Sequence, residues 1–292
     1  MLAAQRQHLI LQEVHSEGTV RVATLAARLD VSEMTIRRDI DVLDAGGFVL
    51  RVHGGAARTD SFSALEPGFA SKSTRGLPAK AAIAEEAISL VRPGMTLLIS
   101  GGTTTFELAR MLPRNFDLTV ATNSVMVANS LAAADPAGDG RIRTLVLGGE
   151  RTPSEALVGP LTVRAVSTLA ADLCFMGAHG LDPQAGLTSP NLLEAEVNAA
   201  MITASGRLVV LADSSKYGLI GLAGICPLSA IHTLVTDNGL SPASLTALRQ
   251  TVPDVRTARI PDGRDGPAKP ATASADRDTR HSQPPAPKGK TP

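Results

Sequence analysis

Two stretches of the chain bring together residue types that can hold a charged ligand. The first is Ser100-Gly101-Gly102-Thr103-Thr104-Thr105, which follows the apolar run Met95–Ile99 and opens a stretch of helical periodicity. Glycines let a backbone approach an anion, and helix-start amides with threonine hydroxyls can hydrogen-bond it. The run is not a P-loop, since no Gly-Lys-Ser/Thr stands at the required spacing. It is not a dinucleotide fingerprint, since the third glycine is missing. A tight strand–helix turn would use the same residues. Other apolar runs also end on polar groups: Thr122-Asn123-Ser124, Gly148-Gly149, Gly177 with Gly180, and Asp213-Ser214-Ser215-Lys216. Ligands of α/β sheets sit outside the carboxyl ends of the strands, so these endings predict a small-molecule site. Lys216 can give a cation to a phosphate, or stand solvated.

The second stretch is Glu33–Ala45 (EMTIRRDIDVLDA). Ile36, Ile40 and Leu43 share one helical face. Met34 and Arg38 lie nearly opposite that face, and Arg37 and Asp41 flank it. Ser32 suits the N-cap and Glu33 the positive helix end. A helical stripe of Leu9, Ile10 and Val14 precedes it. Between them runs a helix over Val22–Leu29, with Leu25, Ala26 and Leu29 inward and Asp30-Val31 as a tight turn. Gly46-Gly47 stop the third helix. Residues 48–52 form a short strand, and His53-Gly54-Gly55 turn it back as a wing. Two helices, a turn and a third helix with outward arginines suit major-groove reading. Arginine supplies bidentate donors for guanine or charge for phosphate. Arg37 and Arg38 on a solvated face, paired with Asp39 and Asp41, fit the spacing equally well.

These runs need elements to position them. Residues 1–57 are dense in helical periodicity. Residues 58–78 are polar and broken by Gly and Pro, as in a linker. Residues 79–260 alternate apolar strands (95–100, 118–122, 144–149, 173–177, 207–213, 233–237) with helical stretches, including one from Ser124 to about Ala134 and one near 192–205. Strands alternating with helices predict an α/β fold with a parallel sheet covered on both faces. Residues 261–292 hold seven of the 19 prolines and no large apolar residue, the composition of a disordered tail.

Composition narrows the class without naming it. The chain has 292 residues, 43% hydrophobic and 19% charged, enough to bury a core. Two cysteines cannot make a disulfide scaffold. No basic-then-apolar leader or long apolar span is present, so a soluble, cytoplasmic protein is expected. Net charge is zero, and residues 1–60 carry seven arginines against eight acids, so any DNA contact must act through local placement of Arg37, Arg38, Arg51 and Arg58. Aromatics at 2% argue against base-stacking platforms. Cys174 sits in an apolar run and reads as packing. Cys226 has no metal partner at useful spacing, and the scattered histidines make a zinc site improbable. His179, between Gly177 and Gly180, suits either a pocket or a loop. No metal or cofactor is implied.

The stretch VATLAARLDVSEMTIRRDIDVLDAGGFVLRVHGGA resembles the N-terminal signature of DeoR-family, glycerol-3-phosphate-repressor-like transcriptional regulators, above all in VS-x-x-TIRRD and the Arg-x-His-Gly-Gly-Ala wing. It implies that residues 22–41 form the helix-turn-helix proper. The DNA-binding set is then Ser32, Met34, Thr35, Arg37, Arg38, Arg51 and His53. The resemblance extends over roughly 80–240 through Lys80-x-x-Ile-Ala, Pro93-Gly94, Gly-Thr-Thr, Thr-Asn-Ser, Leu-Gly-Gly, Asp213-x-Ser-Lys and Val-Thr-Asp. That half is similar to the family's sensor domain, of the ribose-5-phosphate isomerase and CoA-transferase fold. It implies a homo-oligomer that binds a double-stranded DNA operator, acts as a repressor and senses a phosphorylated sugar or polyol. Gly102, Thr103, Thr104, Asn123, Gly148, Asp213 and Lys216 become effector-site candidates by carry-over. Gly101, Thr105 and Ser215 join them from the loop readings. Two positions depart from the family pattern: Ser100 where an Asp is common, and Asn198 where a Lys or Arg is common after Gly186-Leu187-Thr188. Each is expected to change what the pocket holds. Two further readings share some features: a sugar-phosphate isomerase or transferase with a DNA-binding appendage, and an architectural DNA binder.

Deleting residues 261–292 should leave the melting temperature and operator affinity near those of the full chain. A drop of many degrees in a thermal melt would show that this segment packs on the body.

Overall fold

A computed structural model describes residues 3–17, 19–45, 48–52, 54–57, 68–133 and 142–260. The expected helix stop at Gly46-Gly47, the wing residue His53, Arg58, linker residues 58–67 and the tail 261–292 lie outside them.

The N-terminal part runs α1 (Ala3–Glu17), β1 (Thr19–Arg21), α2 (Val22–Leu29), α3 (Glu33–Ala45), β2 (Leu50–Val52) and β3 (Gly55–Ala57). The strands form a small antiparallel sheet in the order β1-β3-β2. Asp30 takes the left-handed conformation at φ 51°, which ends α2 and turns the chain into α3. Ile36, Ile40 and Leu43 of α3 are buried with Ile10 and Val14 of α1, Leu25 of α2, and Val49 and Ala56. The 3.6-residue period therefore placed the α3 face correctly. Leu9, expected inward, is exposed, because Ile10 and Val14 one turn apart define the buried stripe of α1 and Leu9 falls on its flank. Leu29 is half-buried.

Asp39 does not sit on the solvated face with the arginines of α3. It is buried and accepts from Arg6 Nε at 2.5 Å, Arg6 Nη2 at 3.2 Å and Gln7 Nε2 at 3.2 Å, which ties α1 to α3. A bidentate guanidinium with one further donor satisfies the carboxylate that burial would otherwise penalise.

The remainder is an α/β domain. It begins with α4 (Phe69–Ser73), α5 (Leu77–Ile88), β4 (Thr96–Ile99), α6 (Thr103–Met111), β5 (Leu118–Thr122), α7 (Val125–Ala133) and β6 (Ile142–Val146). A hairpin, β7 (Glu150–Arg151) and β8 (Leu157–Val158), leads to α8 (Pro160–Val166) and β9 (Ala171–Gly177). Then come β10 (Gly180–Asp182), β11 (Gly186–Ser189), α9 (Leu192–Thr203), β12 (Ser205–Leu211), β13 (Ala223–Cys226), β14 (Thr233–Asp237), α10 (Pro242–Thr251) and β15 (Asp254–Ala258).

Seven of these strands make one parallel sheet in the order β15-β14-β12-β9-β4-β5-β6. Successive side chains alternate between its faces. Leu97 and Ile99 of β4, with Phe175 and Val209, pack under α5, α6 and α7. Leu98, Cys174, Met176 and Val210 pack under α8, α9 and α10. All six expected strands are present. The seventh, β15, was missed because Asp254 and Arg256 break its apolar run; at the sheet edge those residues reach solvent and pair with each other and with Glu86. The short antiparallel sheet β10-β11-β13 was missed too, and Gly186-Leu187-Thr188, expected as a turn, begins β11.

The stretch expected as a linker has structure over its second part. Phe69 of α4 is buried, its ring edge-to-face with Phe106 at 5.5 Å, and its amide donates to the Pro153 carbonyl at 3.0 Å. A hydrophobic anchor of this size outweighs the breaking tendency of its Gly and Pro neighbours.

Asp39→Ala should lower the melting temperature of the N-terminal part more than Arg28→Ala, which removes an exposed guanidinium paired with Glu13. Equal shifts in two parallel melts would contradict the role given to the Arg6–Asp39 pair.

Candidate functional site

The candidate DNA-reading residues stand mainly on α3. Ser32 Oγ accepts from the Thr35 amide at 3.2 Å and lies 2.9 Å from Thr35 Oγ1, so Ser32 caps the helix and Thr35 shares in that cap. Met34 is 67% exposed at the outer start of the helix. Arg37 pairs with Glu33 at 2.8 Å, and Arg51 of β2 pairs with Asp41. Both pairs are half-exposed and worth at most about 1 kcal/mol, so phosphate can replace either acid. Arg38 is exposed and makes no ion pair among the described residues. Arg37 and Arg51, with Val22, Val52, Gly54 and Gly55, line an open groove of about 570 Å³ between α3 and the wing. Of the six described candidates, Ser32 caps α3, Met34, Thr35, Arg37 and Arg38 stand on its N-terminal half and Arg51 on β2; His53 lies outside the described residues.

The second site lies where the sheet order reverses. β4 and β9 are neighbours, yet α6 follows β4 onto one face and α9 follows β9 onto the other. A crevice opens beyond the strand ends at such a reversal. The loops after β4 and β9 meet there through glycine. A Cβ on Gly101 would come within 2.7 Å of Ala156 Cβ. Gly102, at φ 156° and ψ 157°, occupies a region open to little but glycine.

A cavity of about 70 Å³ fills this crevice. Gly101, Gly102, Thr103, Thr104 and Lys216 line it, and so does His179. The first turn of α6 has no side-chain cap, so its amides remain for water or a ligand.

The other five effector candidates do not line the cavity; they hold its walls. Thr105 Oγ1 donates to the Ser100 carbonyl at 2.8 Å. Asn123 is buried, accepting from the Gly101 amide and donating to the Leu157 carbonyl, both at 3.0 Å. The Gly148 carbonyl accepts from Thr162 at 2.6 Å. Asp213 caps the single helical turn Ser214–Lys216 by accepting from the Ser215 amide and hydroxyl. Strand-end polar groups read alike in sequence, and only some of them face inward.

Ser100 does not line the cavity. It is buried and its hydroxyl accepts from the Gly177 amide at 3.2 Å, bridging β4 to β9 behind the cavity. Asn198 does line the cavity. It is 4% exposed, and its Oδ1 has no hydrogen-bond partner among the described residues. An unpaired buried acceptor costs about 1–3 kcal/mol, so it points to a function.

Several lining residues escaped the sequence reading: Lys72, Thr188, Ser189, Pro190 and Glu194. Glu194 and Asn198 stand four apart on α9, a spacing that could have flagged them. Lys72 lay in the supposed linker and carried no signal. Lys80 sits behind Lys72 and donates to its carbonyl at 2.5 Å. Burial pushes the Lys80 ammonium down to about 8; Asp213 pulls it back, while Lys216 and Lys72 press it further down. Three ammonium groups are therefore crowded on one side of the cavity, and an anion between them would relieve their repulsion. Burial holds the Cys174 thiol far up and pushes Cys226 up to about 11, which disfavours the thiolate form of both.

Comparison with known proteins decides the family. The profile of the DeoR-like helix-turn-helix domain matches residues 6–62, and that of the DeoR C terminal sensor domain matches residues 77–238. The chain belongs to the DeoR family of transcriptional regulators. It is 32% identical to a putative aga operon transcriptional repressor of Escherichia coli O157:H7, over 85% of this chain and 91% of that one. It is 33% identical to the regulator GlpR of Haloferax volcanii, over 84% and 93%. To the lactose phosphotransferase system repressor of Staphylococcus epidermidis it is 32% identical, over 78% and 90%. A ribose 5-phosphate isomerase of Methanocaldococcus jannaschii overlaps 47% of this chain and 53% of its own at TM-score 0.34 and 19% identity, too slight a likeness to argue from. This DeoR-family regulator therefore joins a DNA-reading head to a sensor domain. Among the described residues no helix is long and apolar enough to cross a membrane.

Arg38→Ala in this regulator should weaken operator binding by about 1–3 kcal/mol and leave the melting temperature unchanged. Unchanged affinity in a gel shift at physiological salt would remove Arg38 from the reading surface.

Proposed function

We propose that this regulator is a cytoplasmic repressor, a homo-oligomer that holds a duplex operator until a phosphorylated sugar or polyol enters the cavity beside α6. The observation that carries the reading is the makeup of that cavity: an uncapped helix start faces Lys72 and Lys216, with Lys80 behind them. Phosphate matches such a site in charge and in hydrogen-bond demand. Catalysis forms no part of the reading. Isomerisation would need a carboxylate base, and the acid among the described lining residues, Glu194, is engaged as acceptor from the Ser189 hydroxyl at 2.9 Å.

A route for the signal follows from α4. Lys72 stands in the cavity wall, and three residues on, Arg75 donates to Asp44 Oδ2 at 3.3 Å. The other oxygen of Asp44, near the end of α3, accepts from the Arg51 amide of β2 at 3.0 Å. A ligand that draws Lys72 inward pulls on the contact that sets the wing against α3. Two sites and a shared element are what coupling requires.

The test is DNA release from an operator selected out of a random duplex pool. The titrant is whichever sugar or polyol phosphate most raises the melting temperature in a ligand screen. Lys216→Ala should bind DNA as the unaltered protein does and need roughly ten- to a hundredfold more effector, the cost of a lost charge-assisted hydrogen bond. Arg75→Ala should keep effector affinity and release DNA poorly. Equal half-release concentrations for Lys216→Ala and the unaltered protein would overturn the phosphate role.

A further inference from the structure

The cavity is unlike on its two sides. On the α6 side stand the uncapped helix start, Lys72 and Lys216, all favouring an anion. On the α9 side no cation lines it among the described residues. There, one turn apart, stand Glu194 and Asn198, the latter 4% exposed with an unpartnered Oδ1. A carboxylate repels a second anion. A buried amide lacking a partner for its oxygen has acceptor capacity that a hydroxyl would fill. An amide turned end for end occupies nearly the same space, so it can present that oxygen to a ligand.

We infer that Asn198, with Glu194 beside it, reads the hydroxyl-bearing end of a singly phosphorylated sugar or polyol and rejects a second phosphate there. The inference rests on the phosphorylated effector proposed above and narrows its class. It also gives a physical account of the unpaired acceptor. In the empty cavity Asn198 lowers stability, and a ligand hydroxyl, donor and acceptor at once, gives the end of the amide that faces it a partner. Discrimination built on a buried group that demands a partner is stronger than discrimination by shape, because the wrong ligand leaves the group unpaired.

The experiment measures binding and melting on the full chain with inorganic phosphate, ribose 5-phosphate, fructose 6-phosphate and fructose 1,6-bisphosphate. A monophosphate should bind more tightly than inorganic phosphate, and the bisphosphate should gain nothing over it. Asn198→Leu, close in shape, should raise the ligand-free melting temperature. It should weaken the monophosphate about tenfold and leave inorganic phosphate unaffected. Asn198→Lys should shift preference towards the bisphosphate.

If Asn198→Leu melts several degrees lower without ligand, the amide is a structural element and the inference fails. Failure also follows if every monophosphate binds no better than inorganic phosphate, or if both variants keep the original ranking. These results leave the anion site standing. If no phosphate-bearing probe, inorganic phosphate included, binds at all, the anion reading falls and takes this inference with it.

Discussion

One constraint organises the sensor domain: the strand order reverses between β4 and β9. A parallel sheet buries both faces, so its crossovers must cover both. Chain growth from β4 to β6 runs one way along the sheet under α6 and α7; growth from β9 to β15 runs the other way under α9 and α10. At the reversal no crossover lies over the strand ends. The loops after β4 and β9 must close the gap themselves, and they do so with the Ser100–Gly177 hydrogen bond, while Gly101 lets the first loop lie against Ala156 of the β7–β8 hairpin, where a Cβ would collide. The cavity, its uncapped helix start and its two unlike walls all follow from that geometry.

The head separates stability from recognition along a single helix. Ile36, Asp39, Ile40 and Leu43 of α3 are buried and hold it to α1 and α2. Met34 and Arg38 are exposed, and Arg38 makes no ion pair among the described residues. Arg37 and Arg51 stand between, paired with acids at the surface where exchange costs little. In a head with no net positive charge, Asp39 is turned inward while Glu33 and Asp41 pair with Arg37 and Arg51 at the surface, and Arg38 stays exposed.

Both parts meet in α4. Its short helix is too brief to be stable alone, and it exists because Phe69 is buried against Phe106 and because Lys80 holds the Lys72 carbonyl. The same segment places Lys72 in the cavity and, through Arg75, reaches the end of α3.

The sequence by itself determined the order and type of the principal elements, the buried face of α3 and the family, because each is recorded locally. A 3.6-residue period places Ile36, Ile40 and Leu43, unbroken apolar runs mark six covered strands, and a run such as TIRRD needs no partner to be recognised. Tertiary structure alone decided which polar loop residues line the cavity. Thr104 and Thr105 are neighbours of one type, yet one lines the cavity and the other bonds behind it. Ser100 and Asn198 looked like equivalent departures, yet the first bridges two strands and the second stands unpaired in the wall. Lys72, from a stretch with no regular pattern, joined the site through one buried ring. Local pattern states what a residue can do; convergence of loops from strands distant in sequence decides what it touches, and periodicity does not encode that convergence.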